Sequence, residues 1–436
     1  MTAGIVIAAP HSGAGKTTVT IGLMRALARR GLRVQPFKCG PDYIDPAFHA
    51  VAAGRPSANL DSWAMGRATL AEIVGRQAGD IAVVEGVMGL FDSAGVAGQT
   101  ASGSTADLAA LLGWPVVLVL DVEGQAETAA AVAVGCARYR DDVSVAGVIL
   151  NKVASPRHAE LVMPGFARIG LPVFGALRRD QALVLPERHL GLVQAMESAD
   201  LVARLDVLAA HIEESIDLDA ILRIARPAAL FPAISPRHRP PGQRIAVARD
   251  RAFSFLYPHL LDAWRAAGAE IAFFSPLADE APAGDADAVW LPGGYPELHA
   301  ATLSAARRFQ EGLRRQAARS VPIHGECGGY MVLGRGLEDG DGVRHGMAGL
   351  LGLESSFARR RLHLGYRRTR LLAACALGAA GTEVLGHEFH YASVLSSDDA
   401  PLVDCCDAAG MPVAESGGRR GSVSGTFFHF IDRPEG

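Results

Sequence analysis

The stretch Gly4–Thr18, GIVIAAPHSGAGKTT, constrains this chain more than any other. Ile5, Val6 and Ile7 are β-branched and uncharged, which suits a buried strand. From Val19 onward apolar residues recur at helical spacing. Strand, small-residue turn and helix together form the context of a phosphate-binding loop. Such a turn lets successive backbone N–H groups face a polyphosphate, and the helix adds its positive end. Ser12, Gly13, Ala14, Gly15, Lys16, Thr17 and Thr18 are the expected ATP-binding residues. Lys16 is placed to reach the outer phosphates and the Thr17 hydroxyl to hold Mg²⁺. Pro10 stands where the usual pattern has its first Gly, so the loop departs from the standard form.

Further apolar strands are expected at Arg33–Pro36, Ile81–Glu85, Val116–Asp121, Val145–Asn151 and Val173–Ala176, with helical segments between them. That alternation predicts an α/β fold with a doubly wound parallel sheet. Ligands of such sheets sit beyond the carboxyl ends of the strands. Polar motifs fall at those ends. FKCGPDYIDPAFH is broken by Pro41 and Pro46 and reads as a loop. It carries Lys38, Tyr43, Asp45 and His49 as expected substrate-binding residues and Asp42 as an expected metal ligand. Glu85 closes an otherwise apolar strand, where an NTPase places its metal-linked acid. Asp92 follows on the same loop and is assigned to the substrate. Asn151, with Lys152 beside it, offers a donor and an acceptor to a purine edge.

Glu197–Leu222 reads as helical, and the Pro-rich Arg226–Gln243 reads as a linker. Alternation then restarts at Arg244. VPIHGECGGYMVLG predicts a strand, a tight turn with Cys327 at its apex, and a helix opened by Gly328. A nucleophile on such a strained elbow needs small neighbours, and a helix start favours the thiolate. A nucleophilic Cys needs a base, and His429 in GTFFHFID supplies one. Gly293 and Gly294 of LPGGYPEL, with Gly328, are the expected oxyanion-hole N–H donors. His387 and His390 in GHEFHYA are too close together for HExxH, so that motif gives no zinc site. His324 is read as structural. Arg359–Arg361, Arg367 and Arg368 form a basic cluster near His363, either a solvated face or a contact for an anion. Asp432 falls three places after His429.

Composition narrows the functional classes. The chain has 436 residues, too many for one ordinary core. Its net charge of −4 gives no bulk electrostatic case for nucleic acid. Six cysteines without CxxC spacing fit a reducing cytoplasm. The longest apolar run, near Trp114–Val122, carries Pro115 and Asp121, so no membrane span is expected.

The phosphate loop with its displaced Gly resembles the ATPase branch that includes dethiobiotin synthetase. The ordered set SGAGKTT, KCGPDYIDPAFH, VVEGVMGLFD, LPGGYPEL, HGECGGYM, GHEFHY and GTFFHF resembles the cobyrinic and hydrogenobyrinic acid a,c-diamide synthases of corrin biosynthesis. This resemblance spans essentially the whole chain. It implies a dethiobiotin synthetase-like ATP- and corrinoid-binding domain over 1–195 and a helical segment and linker over 196–242. A class I glutamine amidotransferase domain follows over 243–436. It also implies Mg²⁺-ATP, glutamine and a corrinoid polycarboxylate, with ammonia passing inside the protein between the sites. No nucleic acid or membrane partner is implied, and a homodimer is the assembly considered. Members of this family commonly lack the acid two places after the His. The alternatives are a cobyric acid synthase acting on other corrin carboxylates, a regulatory partitioning-type ATPase, and a plain glutaminase.

Overall fold

In the computed structural model, described over residues 2–76, 78–180, 187–188, 191–192, 200–229 and 238–435, apolar runs alternate with helices to build a parallel sheet in the first half. The chain divides into two units, Met1–Ile234 and Ser235–Gly436. The proposed 195/196 boundary and residues 230–237 of the Pro-rich segment lie outside the described residues.

The strands of the first unit are β1 (Ala3–Ala8), β2 (Val34–Cys39), β3 (Ala58–Leu60), β4 (Ile81–Glu85), β5 (Val116–Asp121), β6 (Val145–Val153) and β7 (Val173–Arg178). They lie in the order β3-β2-β4-β1-β5-β6-β7, all parallel. A short strand, Arg226–Pro227, adds antiparallel to β1. β4 and β5 have the bounds expected from the sequence, whereas β2 runs on to Cys39 and β7 to Arg178. The three-residue β3 was not expected, because so short a run has no readable period.

Register positions the chemistry. Glu85 pairs with Ile7 on one side and with Lys38 on the other. Directly paired residues on neighbouring strands project to one face. The carboxyl ends of β1, β2 and β4 therefore bring the phosphate loop, Lys38 and Glu85 together. Helix α1 (Lys16–Arg29) follows the loop, and α2 (Asp45–Ala53) follows β2 with Pro46 in its first turn. The segment expected to be helical forms Leu201–Ser215 and Leu218–Ile224. Leu201–Ser215 packs on α1, where Arg25 Nε bonds Asp206 Oδ1 at 2.8 Å.

The second unit is centred on a six-stranded sheet. Its order is Glu270–Phe274, Arg244–Ala248, Ala288–Leu291, Ile323–Glu326, Val423–Thr426 and Gly418–Arg420. The first five strands are parallel and the last is antiparallel. A separate antiparallel sheet joins Val403–Asp407, His363–Leu371, Glu383–His390 and Phe428–Asp432. Among the described residues, no helix is long and apolar enough to cross a membrane.

Gly22 lets α1 approach Leu201–Ser215 closely. A Cβ there would lie 2.8 Å from Leu208 Cγ and 2.8 Å from Ile212 Cγ1. Gly22→Val is expected to destabilise the protein by about 1–3 kcal/mol through overpacking, read as a lower midpoint in thermal unfolding.

Candidate functional site

In the first unit the phosphate loop has the backbone its glycines permit. Gly13 and Gly15 take φ of 82° and 89°, a region closed to most side chains. Asn151 Nδ2 donates to Ala14 O at 2.9 Å, so in this state it braces the loop. Lys152 Nζ donates to Asp121 Oδ2 at 2.5 Å and to Gly13 O at 3.2 Å. A cavity of about 380 Å³ is lined by Gly13, Gly15, Thr18, Asn151, Lys152 and Arg178 among others. It joins the phosphate loop to the ends of β6 and β7.

Glu85 is the centre of the polar cluster and has no solvent exposure. Thr17 Oγ1 donates to its Oε1 at 2.5 Å, and Lys38 Nζ lies 3.1 Å from the same oxygen. Lys16 Nζ stands 3.7 Å away. His49 Nε2 is 2.6 Å from the other oxygen, Oε2. Burial alone would raise the Glu85 pKa, but Lys38, His49 and Lys16 outweigh it and hold the carboxyl well below its ordinary value. Burial likewise opposes the charge on Lys38, yet Asp45 at 2.5 Å and Glu85 raise its pKa above the ordinary value. Lys16 is pushed down, first by burial and then by Lys38.

The sequence grouped Lys38, Tyr43, Asp45, His49 and Asp92 together, and the structure separates them. Lys38 and Asp45 join the Glu85 cluster. His49 is fully buried against Glu85 and is not at a surface. Tyr43 is buried at 7 % exposure, and Asp92 is exposed with Oδ2 accepting from Gly89 N at 2.8 Å. Asp42 Oδ1 accepts from Ile44 N at 2.7 Å, closing the turn into α2. Burial and neighbouring Asp45 push its pKa up to about 7. Thr17, Glu85 and Asp42 are an all-oxygen set, the donor chemistry that Mg²⁺ selects.

In the second unit the elbow forms as expected. Cys327 sits at φ 46°, ψ −105° between the strand Ile323–Glu326 and the helix Gly328–Leu333. A positive φ at a non-glycine is strained and is held here by the surroundings. Cys327 N donates to Thr426 O at 2.7 Å, fixing the turn to the next strand. A Cβ added to Gly293 would lie 2.3 Å from His429 Cε1, 2.9 Å from His429 Nε2 and 3.2 Å from Cys327 Cβ. His429, Cys327 and Gly293 thus converge on one point. A Cβ on Gly328 would fall 3.1 Å from Gly294 N, so the expected oxyanion donors are also neighbours.

The electrostatics differ from the sequence argument in one respect. The start of a helix was expected to favour the thiolate. Burial raises the Cys327 pKa instead, with Glu297 adding to it, and the Gly328 N–H only partly offsets this. Burial also lowers His429 to about 3. The resting pair is therefore a neutral thiol and a neutral imidazole.

The position two after His429 holds Ile431, and Asp432 turns away to His238 Nε2 at 3.5 Å. A carboxylate that the sequence argument missed, Glu326, places Oε2 3.8 Å from His429 Nδ1. It immediately precedes Cys327, so a charged residue on a buried strand was the available signal. His324 bonds Ser424 Oγ at 3.0 Å inside the sheet, consistent with a structural role. Arg367 is buried and bonds Glu388 Oε2 at 2.6 Å, whereas Arg359–Arg361 are exposed.

His363, Glu388 and His390 bring three ligand atoms within 4.8 Å of one another. The two imidazoles are stacked, with planes 4° apart and centroids 4.6 Å apart. Imidazole lone pairs lie in the ring plane, so parallel stacked rings do not aim at one ion. Glu388 instead bonds His390 at 2.8 Å and Arg367.

Gly293→Ala is expected to lower glutamine hydrolysis by about 10²-fold or more by displacing His429 and the oxyanion donors, measured as ammonia release. Glu85→Ala leaves Lys38 and Lys16 buried without their shared anion. It is expected to cost about 3–5 kcal/mol, read in denaturant unfolding.

Residues 5–193 match the model of the CobQ/CobB/MinD/ParA nucleotide binding domain. Residues 244–435 match the CobB/CobQ-like glutamine amidotransferase domain. The chain is 57% identical over 429 residues to a hydrogenobyrinate a,c-diamide synthase from Rhodobacter capsulatus, covering 98% of each chain. It is 57% identical to one from Mesorhizobium japonicum and 53% identical to one from Agrobacterium fabrum, again covering 98% of each chain. With a phosphate-loop unit and a Cys–His elbow unit in one polypeptide, this chain belongs to the hydrogenobyrinate a,c-diamide synthase family.

Proposed function

We propose that this protein is an ATP- and glutamine-dependent ligase that amidates the a and c side-chain carboxylates of a corrinoid, with hydrogenobyrinic acid preferred over cobyrinic acid. The observation that carries the reading is that one chain holds both the Thr17–Lys38–Glu85 cluster and the Cys327–His429–Gly293 convergence.

A carboxylate resists amidation because its leaving group is poor. Transfer of the ATP γ-phosphoryl group to it gives an acyl phosphate that ammonia can attack. The loop Ser12–Thr18 would hold the phosphates, and Lys16 and Lys38 would neutralise the charge that develops on the transferred group. Asn151 and Lys152 border the cavity for the nucleoside. Thr17, Asp42 and Glu85 would hold Mg²⁺, which supplies charge neutralisation at the β- and γ-phosphates. His49 orients Glu85 from behind, as an outer partner orients a ligand. Tyr43, Asp45 and Asp92 flank the loops where the corrinoid carboxylates would lie.

In the second unit Cys327 would attack the glutamine side-chain amide, with its proton passing to His429. The N–H groups of Gly293, Gly294 and Gly328 would hold the oxyanion. His429 then protonates the leaving ammonia and later activates water to release glutamate.

The deciding experiment is a mass spectrum of products after incubation with Mg²⁺-ATP, glutamine and, in parallel, hydrogenobyrinic and cobyrinic acid. Two carboxyl-to-amide conversions are expected, faster on the metal-free ring. No conversion of either substrate, with ATP and glutamine hydrolysis intact, overturns the reading. Cys327→Ala is expected to abolish glutamine-dependent amidation while added ammonia still supports it. Equal loss of both would show that the two sites do not work separably.

A further inference from the structure

Glu326 has no ordinary reason to be where it is. It is 1 % exposed, on the strand that delivers the nucleophile, and no Lys or Arg forms an ion pair with it among the described residues. A buried carboxyl with no cation beside it is costly, and the Phe430 N–H and the Trp290 side chain offset only part of that cost. One oxygen is committed, since Oε1 accepts from Phe430 N at 2.8 Å. That bond ties Glu326 to the residue after His429 and leaves Oε2 facing the ring, 3.8 Å from Nδ1. The distance exceeds a hydrogen bond, but such contacts commonly tighten only when substrate is bound.

We propose that Glu326 is the positioning acid of the glutaminase site, supplying from the nucleophile's own strand what other amidotransferases supply two residues after the histidine. It accepts the His429 Nδ1 proton, which leaves Nε2, the nitrogen beside Gly293, as the acceptor for the Cys327 proton. When Cys327 gives up that proton and its sulfur bonds the glutamine carbonyl carbon, the imidazolium is held against a carboxylate. The same proton then leaves with ammonia as the carbon–nitrogen bond breaks. Glu326 ends each cycle as it began.

The groups facing His429 are Glu326 and Cys327 from the elbow, and His387, Glu388 and His390 from Glu383–His390. Phe255 contributes a main-chain hydrogen bond that favours the protonated ring. His387 and His390 oppose a cation there, so the negative groups must offset them. Burial pushes Glu326 up to about 8, so its carboxyl is protonated at neutral pH and ionises as the pH rises through that value. A protonated Glu326 would donate to Nδ1 and select the wrong tautomer. Glutamine hydrolysis should therefore rise with pH as Glu326 ionises.

This inference rests on the glutaminase reading, and the test separates the two. Glu326→Gln keeps the volume and an acceptor for Phe430 N–H but removes the charge. The expected result is a fall of about 10²–10⁴-fold in kcat for glutamine hydrolysis. KM should stay little changed, amidation with added ammonia should be intact, and the acid limb of the pH profile should be displaced. In the wild-type protein above pH 8, where Glu326 is ionised, ¹⁵N NMR of neutral His429 should show the proton on Nδ1. A wild-type kcat and pH profile in Glu326→Gln, or a wild-type ring still protonated on Nε2 above pH 8, overturns the proposal, and the NMR result needs no folded variant. Cys327→Ala retaining glutamine hydrolysis would instead overturn the glutaminase reading itself.

Discussion

The first unit depends on keeping one carboxylate ionised where water cannot reach it. Glu85 lies at the end of a central strand with no exposure, and isolating a charge there would cost several kcal/mol. The register of β2 against β4 puts Lys38 beside it, α2 brings His49 behind it, and the phosphate loop contributes Thr17 and Lys16. The partners arrive on three elements, so with β4 itself the cluster links four pieces of secondary structure. Its charge is compensated only while all of them hold their places. The arrangement also suits phosphoryl transfer, in which catalysis is mostly positioning and electrostatic stabilisation.

The second unit solves a different problem with strain and burial. The Cys327 backbone is held at a positive φ by its bond to Thr426 and by close glycine approaches. Gly329 is one such contact, since a Cβ there would lie 2.0 Å from Leu291 O. Burial keeps both the thiol and the imidazole neutral at rest. Charge separation between the two is thus disfavoured until a group that accepts charge is in place. That suits a site whose product is better released on demand than continuously.

Much of this was readable in the residues. The phosphate loop, the acid at the end of β4 and the elbow around Cys327 are local patterns, because strand, turn and helix are encoded within about fifteen residues. Phosphate and nucleophile chemistry also demands small residues at fixed offsets. His429 was found as the histidine of the apolar run GTFFHFID, and it stands second in the strand Phe428–Asp432, although nothing local ties it to Cys327. The roles within KCGPDYIDPAFH were harder. Lys38, Asp45 and His49 look alike as loop polar residues, and only the register and the helix phase of α2 turn them inward to Glu85.

The sequence by itself determined the alternation that makes two α/β units and the residues able to do phosphate and thiol chemistry, though it read Phe37–His49 as loop where the end of β2 and the start of α2 form. These follow from short-range sterics and periodicity. Tertiary structure decided which charges meet. It placed Lys38 beside Glu85 by strand pairing and the segment Leu201–Ser215 against α1. It also set Glu326 beside His429 across a hundred residues of chain, while Asp432, nearer in sequence, faces His238. Distances between side chains depend on how sheets stack and register, and those are properties of the packed core that no single stretch of chain contains.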